Sequence, residues 1–331
     1  MKAIVDKDIP FISGRLEKAG IETLYVDQWG FTPENVREAD MLIIRTRTRC
    51  DEALLEGSKV RLVATATIGM DQIDLDWCAA RGIKVRNAPG CNAPGVAQYV
   101  WSALLRLGIG TGSRVQNRRQ TLGIVGCGNV GSIVRDWAER LGVRVIVSDP
   151  PKGMDYPLER LLAESDAVTL HTPLVRGGDH PTFHLMGSAQ LSAMRPGTVL
   201  VNAARGPVVD FKALKKELKA GRIKAVIDTW EGEPEVDTDV LELAEYATFH
   251  IAGYSDQGKQ RATRMVLETV EDTFGVVIDK SGLEPAYAGT DRLTAERILA
   301  SYDPMLETEL LRAHPGQFDK LRNEYNYRPE V

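Results

Sequence analysis

Three side chains of different chemistry follow three successive apolar runs in the second half of the chain. Arg205 follows "TVLVNAA", Glu233 follows "AVIDTW", and His250 lies within "ATFHIAG". An imidazole with an ordinary pKa of about 6.5 can accept a hydroxyl proton, and a neighbouring carboxylate can orient the ring and raise that pKa. A guanidinium can bind a substrate carboxylate through paired hydrogen bonds. These residue types therefore predict the oxidation of a hydroxy acid, provided that the fold brings them together.

A glycine motif supplies the second chemical signal. "GCGNVG" places Gly126, Gly128 and Gly131 in GxGxxG spacing, after the apolar run "LGIV" and before a helical pattern. In this context the glycines allow a tight turn, close approach of a pyrophosphate, and close packing of helix and strand. Free N–H groups at the helix start, around Asn129 and Val130, would face the phosphates. The motif predicts a dinucleotide cofactor; the alternative is a similar domain that binds another nucleotide or none.

The run after this helix indicates which dinucleotide is bound. "RVIVSD" ends at Asp149, whose carboxylate can accept hydrogen bonds from both ribose hydroxyls of NAD. The same carboxylate would repel the 2′-phosphate of NADP. Two prolines follow, and the nearest cation is Lys152. The sequence therefore predicts NAD.

The elements that must position these residues alternate between strand and helix patterns. Short apolar runs at 3–6, 41–46 and 61–67 predict strands, and apolar spacing predicts helices at 11–20 and 96–107. Further runs of both kinds continue to about residue 275. Alternating strands and helices predict an α/β fold with parallel sheets and right-handed crossovers.

In open parallel sheets, ligands bind beyond the carboxyl ends of the strands. Arg205, Glu233 and His250 each follow a predicted strand, so they are expected at this edge. His171 and Thr172 follow another strand, in "AVTLHTPL". We interpret Thr172 as a cofactor neighbour and His171 as a weaker candidate for the base.

Length and composition exclude several other classes. The chain has 331 residues and a formal net charge of -5, which allows about two domains and argues against non-specific nucleic-acid binding. Its four cysteines form no CxxC pair or zinc-like spacing, so we expect reduced thiols and no metal site. No apolar run approaches about 20 residues, and no signal peptide is visible. The expectation is a cytoplasmic protein that binds no membrane.

Several segments together resemble the NAD-dependent D-2-hydroxyacid dehydrogenases. They are "GCGNVG", "HTPL", "NAARGPVVD", "DTWEGEP" and "HIAG", and the likeness covers residues 1–280. The resemblance implies that Arg205 binds the substrate carboxylate, that Glu233 supports His250, and that His250 is the acid/base.

The same resemblance implies the architecture. It predicts a Rossmann-type doubly wound parallel sheet and a second, flavodoxin-like α/β domain, with a short C-terminal extension. The substrate domain would comprise residues 1–92 and 254–280, and the NAD domain residues 93–253. Residues 281–331 would form the extension.

Other segments resemble one branch of this family, which oxidises a small phosphorylated 2-hydroxy acid in pyridoxal phosphate biosynthesis. They are "RTRTRCDEALL", "VATATIGMDQID", "APGCNA", "DPP" and "HIAGY". The residues implied to contact the substrate are Thr46, Thr67 and Tyr254. The residues implied to contact NAD are Asp149, Thr172, Asp228 and Gly253. The tail "HPGQFDKLRNEY" resembles part of a dimerisation domain, which implies a homodimer.

The alternation of Arg45, Arg47 and Arg49 offers a site for the phosphate. At the end of a strand, a period of two would put these guanidiniums on one face. The alternative is a solvated, positively charged edge. Arg45 is the principal candidate, and Lys259 is a further possible contact for an anion.

Three functions remain open on the sequence alone. The first is oxidation of the phosphorylated acid. The second is the activity of a 3-phosphoglycerate dehydrogenase or another D-2-hydroxyacid dehydrogenase. The third is an NAD-sensing, corepressor-like binding protein without turnover.

Overall fold

A computed structural model of the chain describes residues 1–112, 118–289 and 293–331. These residues form two compact units. The first unit comprises Met1–Asn92 and Ser255–Ala288, and the second comprises Ala93–Tyr254 and Gly289–Val331. All four cysteines lie in the described residues, are buried, and form no disulfide.

The strands are short and mostly separated by helices. In chain order they are β1 (Lys2–Asp6), β2 (Glu22–Val26), β3 (Met41–Ile44), β4 (Leu62–Thr65), β5 (Lys84–Arg86), β6 (Thr121–Val125), β7 (Arg144–Asp149), β8 (Met154–Asp155), β9 (Ala167–Leu170), β10 (Val199–Asn202), β11 (Lys224–Ile227) and β12 (Tyr246–Ala247).

The helices range from single turns to nineteen residues. They are α1 (Arg15–Lys18), α2 (Pro33–Val36), α3 (Glu52–Leu55), α4 (Leu75–Ala80), α5 (Ala93–Arg106), α6 (Asn129–Arg140), α7 (Leu158–Glu164), α8 (Ser188–Ala193), α9 (Phe211–Lys219), α10 (Thr238–Leu243), α11 (Asp256–Phe274), α12 (Ala295–Ser301), α13 (Met305–Ala313) and α14 (Phe318–Asn323). Within the described ranges, no helix is both long and apolar enough to cross a membrane.

The first unit is built on a five-stranded parallel sheet in the order β2-β1-β3-β4-β5. Side chains alternate between its two faces. Along β1, Ala3 and Val5 join the apolar cluster beneath α11, whereas Ile4 joins the cluster beneath α2, α3 and α4. This order and two-sided covering confirm the predicted flavodoxin-like domain.

The second unit is built on a seven-stranded sheet in the order β12-β11-β10-β9-β6-β7-β8. All strand pairs are parallel except that of β7 with the short edge strand β8. Along β10, Val199 and Val201 face one apolar cluster and Leu200 faces the other. The chain order reverses between β6 and β9, which gives the strand order of a Rossmann-type fold. The predicted fold class is confirmed.

Three sequence-based boundaries were too generous in the first unit. The strand predicted over 61–67 is β4, which spans only Leu62–Thr65. The strand predicted over 41–46 ends at Ile44, and residues 46 and 47 form a turn. The helix predicted over 11–20 is the single turn α1, because Phe11 and Gly14 adopt positive φ values of 63° and 77°. A helix cannot continue through left-handed backbone.

The C-terminal residues of the second unit pack on its core. Ile298 from α12 joins the cluster formed by α5 and α6, while Leu311 and Phe318 from α13 and α14 join the cluster on the other face. These three side chains are almost completely buried. The polar tail thus buries these three apolar residues against its own unit, whereas Leu306 and Leu310 of α13 stay exposed.

Candidate active site

Three neighbouring parallel strands of the second unit direct their carboxyl ends to one edge of the sheet. β10 pairs with β11, and β11 pairs with β12. Arg205 lies just beyond β10, Asp228 just beyond β11, and His250 just beyond β12. The sheet therefore brings these three residues from distant parts of the sequence to the same edge.

His250 and Glu233 form a hydrogen-bonded pair at this edge. The imidazole Nδ1 lies 2.7 Å from Glu233 Oε1, and both side chains are about three-quarters buried. Burial raises the pKa of the Glu233 carboxyl. The hydrogen bond and charge of His250, the Trp230 N–H and the charge of Arg322 outweigh that effect, so the pKa lies below its usual range. The carboxylate is therefore ionised and can only accept, so Nδ1–H of His250 donates to it.

The backbone around His250 is fixed by the buried carboxylate of Asp228. This residue is 1 % exposed and accepts hydrogen bonds from the Ile251 N–H (2.7 Å), the Ala252 N–H (3.0 Å) and the Thr248 hydroxyl (2.7 Å). The His250 N–H donates to the Asp228 carbonyl at 2.8 Å. His250 itself adopts a positive φ of 59°, a conformation that non-glycine residues seldom adopt without such support.

The segment that carries Arg205 lies against the segment that carries Glu233. A Cβ atom added to Gly206 would lie 1.9 Å from the Trp230 carbonyl oxygen, so only glycine fits there. Arg205 is half-buried, and its Nη1 donates to the Ala204 carbonyl at 2.9 Å. The close approach of the two backbones places Arg205 in the loop next to the one that holds Glu233.

The glycine motif has the geometry of a phosphate-binding turn. Gly126 has a φ of 86°, and a Cβ there would lie 2.9 Å from the backbone of His171. A Cβ on Gly131 would lie 2.2 Å from the Gly126 carbonyl oxygen, so the helix packs directly on the turn. At Gly128 the nearest atom is Lys152 Nζ, at 3.9 Å. The first and third glycines are therefore required by the fold, and the second leaves room for a ligand.

Helix α6 begins at this open position. Asn129 and Val130 are its first residues, and no side chain caps its N–H groups. Asp149 ends β7 and accepts a hydrogen bond from the Cys127 N–H at 2.7 Å, and Lys152 Nζ donates to the Cys127 carbonyl at 3.0 Å. A carboxylate, an ammonium and free helical N–H groups thus surround the turn. They match the ribose and pyrophosphate of a dinucleotide.

Thr172 lies against the same turn, where the chain order of the sheet reverses. Its methyl carbon would lie 2.9 Å from a Cβ on Gly126, and its hydroxyl is buried. Among the residues that the structure describes, this hydroxyl has no hydrogen-bond partner. A buried polar group without a partner is costly, and a bound ligand would remove that cost. The residues present therefore fit a dinucleotide.

His171 is poorly suited to the role of base that the sequence left open. Its Nε2 lies 3.0 Å from the Thr169 hydroxyl, and burial of the ring lowers its pKa to about 3. Such a ring is neutral at pH 7 and has little tendency to accept a proton. The strand pattern alone could not separate His171 from His250, because both follow apolar runs.

Arg45, Thr46 and Thr67 belong to the first unit. Arg45 Nε lies 3.0 Å from Asp6 Oδ2, and its Nη2 donates to Asp8 Oδ2 at 2.7 Å. The Thr67 hydroxyl lies 2.6 Å from that of Thr65, and Thr46 is exposed in the turn after β3. The expected period of two for the arginines is wrong, because β3 ends before them.

The arginines of this turn have separate partners. Arg49, whose side chain is 82% exposed, lies 2.5 Å from Asp51, whereas Arg45 contacts two other aspartates and is 31% exposed. Arg45 and Arg49 therefore bind different carboxylates.

Tyr254 ends the central part of the second unit and lies among aromatic side chains of the C-terminal tail. Its ring centroid is 6.3 Å from that of Tyr325 and 6.0 Å from that of Tyr327, and the Arg322 guanidinium lies 5.6 Å from it. Gly253, just before it, is half-buried. The proposed substrate and cofactor contacts of these two residues stay predictions.

Sequence reasoning missed several residues that support the site. Trp230 Nε1 donates to the Thr248 carbonyl at 2.8 Å, and the Tyr99 hydroxyl lies 2.8 Å from the Thr248 hydroxyl. Arg328, near the end of the chain, contacts the segment after His250. A buried tyrosine or tryptophan usually needs such a polar partner, but a sequence does not indicate which one.

Comparison with known proteins gives a consistent result. Residues 109–252 match the family model described as D-isomer specific 2-hydroxyacid dehydrogenase, NAD binding domain. The erythronate-4-phosphate dehydrogenase of Bacteroides fragilis is 43% identical over 340 residues, which span 100% of this chain and 97% of that protein. The protein of that name from Porphyromonas gingivalis is 37% identical over 355 residues, spanning 100% and 94%.

Solved structures share the fold. NAD+-bound 3-phosphoglycerate dehydrogenase of Entamoeba histolytica has a TM-score of 0.68 at 26% identity, covering 83% of this chain and 96% of that one. D-Lactate dehydrogenase of Aquifex aeolicus, complexed with NAD and lactic acid, has a TM-score of 0.67 at 24% identity, covering 83% and 96%. The second likeness concerns the fold alone.

Proposed function

Since the chain belongs to the D-isomer specific 2-hydroxyacid dehydrogenase family, as an NAD-dependent oxidoreductase of the erythronate-4-phosphate dehydrogenase type, we propose that it oxidises 4-phospho-D-erythronate. The product is 2-oxo-3-hydroxy-4-phosphobutanoate, and the reaction belongs to pyridoxal 5′-phosphate biosynthesis. The observation that carries the chemistry is the 2.7 Å pair of His250 and Glu233 at the carboxyl edge of the sheet. The full-length relatives named for this reaction support the substrate.

His250 is the general base of this reaction. Because Nδ1–H donates to the Glu233 carboxylate, the lone pair of the neutral ring lies on Nε2. Nε2 takes the proton of the C2 hydroxyl, and the C2–O bond becomes a carbonyl as the C2 hydrogen leaves with its electron pair. Glu233 stabilises the imidazolium that forms and holds the ring in one orientation.

Arg205 binds the substrate carboxylate. Its guanidinium can make paired hydrogen bonds to a carboxylate, and its positive charge favours electron density on the developing carbonyl oxygen. The close approach of Gly206 to Trp230 supports this assignment, since it keeps the Arg205 segment beside the Glu233 segment.

Several residues of the second unit would hold NAD. Bound NAD supplies the acceptor for the hydride that leaves C2. Gly126, Gly128 and Gly131 form the turn at the pyrophosphate, with the N–H groups of Asn129 and Val130, and Asp149 accepts from the ribose hydroxyls. The other residues that we assign to cofactor binding are Thr172, Asp228 and Gly253.

The remaining assignments concern substrate, domains and assembly. Arg45, Thr46, Thr67 and Tyr254 bind the phosphorylated acid. The substrate domain comprises residues 1–92 and 254–280, and the NAD domain residues 93–253. The extension, 281–331, contributes to a homodimer. The partner is the small phosphorylated acid, and neither nucleic acid nor membrane is bound.

A substrate panel tests this function. Nicotinamide absorbance is followed with 4-phospho-D-erythronate, D-erythronate, 3-phosphoglycerate and D-lactate. We expect turnover of the first compound with a kcat/KM at least about 100-fold above that of D-erythronate, because a charge-assisted contact to phosphate is lost without it. Equal rates on the phosphorylated and plain acids would contradict the proposed substrate.

Substitution of His250, the proposed base, distinguishes an enzyme from an NAD-sensing protein without turnover. His250→Asn should lower kcat by about 10²- to 10⁴-fold while NAD still binds, because a general base contributes this much. The exposed His180→Asn is the matched control and should keep full activity. NAD binding by the unaltered protein without turnover of any of the four acids would favour the corepressor-like alternative.

A further inference from the structure

Near the end of the chain, Arg328 is a charged side chain buried inside the second unit. The residue is 6% exposed, and its guanidinium lies 4.4 Å from the ring centroid of Tyr302. In the described part of the chain, no carboxylate lies within ion-pair distance of it; its contacts are carbonyl, amide and hydroxyl oxygens and this ring. A buried charge is costly unless all its donors are satisfied, so this arginine must be fixed in place.

Every nitrogen of this guanidinium donates a hydrogen bond. Nε donates to Gln98 Oε1 at 3.2 Å, and Nη2 donates to the Gly95 carbonyl at 2.9 Å. Gln98, which is fully buried, also donates to the Pro329 carbonyl at 3.0 Å. Helix α5 therefore holds the tail at Arg328 and at Pro329.

The other acceptors lie directly after His250. Nη1 donates to the Ile251 carbonyl at 3.0 Å and to the Tyr254 carbonyl at 3.3 Å, and Nη2 donates to the Ala252 carbonyl. The N–H groups of Ile251 and Ala252 donate to Asp228. A buried anion thus holds the N–H groups of this segment while a buried cation holds its carbonyl groups.

We propose that Arg328 is a positioning residue, which fixes the backbone after His250 and so keeps the imidazole on Glu233 in the orientation needed for proton transfer. This inference rests on the proposed role of His250 as the base. The C-terminal tail then has a catalytic purpose within its own chain, in addition to any role in assembly. Arg328 touches no reacting atom, and it acts through the peptide groups of residues 251–254.

The test compares Arg328 with a second arginine that binds backbone carbonyls elsewhere. Arg312 of α13 donates to the Ala244 carbonyl at 2.7 Å and to the Leu241 carbonyl at 3.4 Å. Both acceptors precede β12, whereas the acceptors of Arg328 include carbonyls that follow His250. We expect Arg328→Met to lower kcat by about 10- to 100-fold, because small displacements of catalytic groups have effects of this size. Arg312→Met should change kcat by less than about threefold, and Arg328→Lys should recover part of the loss, since it keeps the charge but has fewer donor directions.

A spectroscopic readout needs no substrate. In protein labelled with ¹⁵N-histidine, the His250 Nδ1–H that donates to Glu233 should give a strongly downfield proton resonance, assigned by its loss in His250→Asn. We expect this resonance to weaken or shift in Arg328→Met and in Arg328→Lys, and to remain unchanged in Arg312→Met. If Arg328→Met does not fold, Arg328→Lys decides the question.

Two results would overturn the inference. One is an Arg328 variant that keeps the kcat and the resonance of the unaltered protein. The other is a loss of kcat in Arg328→Met that Arg312→Met matches. A protein that oxidises none of the 2-hydroxy acids would contradict the proposed function alone, because the resonance still reports whether Arg328 positions His250.

Discussion

The loop that carries His250 and the turn that carries Arg45 both follow parallel strands, yet they are held in different ways. Around His250, buried Asp228 and buried Arg328 bind the backbone from opposite sides. Around Arg45 the partners are aspartate side chains, of which Asp8 is 55% exposed. The first region fixes peptide groups, whereas the second holds one side chain by two ion pairs, one with Asp8 at the surface and one with buried Asp6.

This difference in how the two regions are held matches the requirements of proton transfer and of phosphate binding. Proton transfer requires the acceptor atom to lie within hydrogen-bond distance and in the correct orientation. Attraction of an anion depends less strictly on geometry, and an exposed ion pair contributes only about 0–1 kcal/mol to stability. The Arg45 guanidinium can exchange the exposed Asp8 for a phosphate at small cost while it keeps its pair with buried Asp6. We therefore expect substitutions near His250 to have the larger effects.

The largest effect is expected at Asp228. Asp228→Ala would leave the N–H groups of Ile251 and Ala252 without their acceptor and would remove an anion whose charge acts on buried Arg328. We expect the free energy of unfolding to fall by about 3–5 kcal/mol, as for other broken buried charge networks. Urea denaturation measures this change. The matched control is Asp210→Ala, which removes only a helix cap and should cost about 1 kcal/mol. Equal losses in the two variants would mean that the His250 loop is no better anchored than a helix end.

Much of the fold and part of the site could be predicted because they depend on local patterns. Apolar runs followed by glycine or polar residues locate β6, β10 and β11, and GxGxxG spacing locates the turn at Gly126. Parallel strands end at one edge, so the meeting of Glu233 and His250 followed from the strand pattern.

The supporting contacts could not be predicted, because they join residues that are distant in sequence. Nothing in the composition of the tail indicates that Arg328 reaches the Ile251 carbonyl. The apolar run before Arg45 also gave no sign that the strand ends at Ile44. Periodicity describes regular elements, whereas hydrogen bonds across the chain depend on tertiary packing.

The next largest effect is expected from Glu233→Gln. The amide keeps the shape of the side chain but removes the charge that stabilises the imidazolium of His250. We expect kcat to fall by about 10- to 100-fold, with a change of less than about threefold in the affinity for NAD. Steady-state kinetics and NAD titration measure the two quantities. Glu235→Gln, at an exposed position in the same loop, is the control and should leave both unchanged. An unaltered kcat in Glu233→Gln would remove the carboxylate from the mechanism.

A smaller effect is expected at Arg45. Arg45→Ala should raise the KM for the phosphorylated acid by about 10-fold and change kcat by less than about threefold, because a charge contact to the phosphate is uniform binding energy. The KM for D-erythronate should not change. Arg81→Ala, which removes an arginine of the same unit that is paired with exposed Glu56, is the control. If both substrates are affected equally, Arg45 supports the fold of the turn instead of binding the phosphate.

The smallest effect concerns His171, which lies at the same sheet edge as His250. Its pKa in the folded protein is about 3, below the ordinary value of 6.5, because the ring is buried. As the pH falls below 6.5, the unfolded chain takes up a proton that the folded protein does not. The contribution of His171 to the free energy of unfolding is therefore fully present above pH 6.5, and it is lost as the pH falls towards 3. Between pH 7 and pH 6, the unaltered protein should lose about 0.7 kcal/mol more than His171→Asn.

Urea denaturation across this pH range measures the difference, with His180→Asn as the exposed control, which should lose as much stability as the unaltered protein. If His171→Asn and the unaltered protein lose stability in parallel, the His171 ring can be protonated in the folded state. Water would then reach the edge of the sheet next to β10. The part of this edge that is buried and has a fixed backbone would then be limited to the segment from Asp228 to His250.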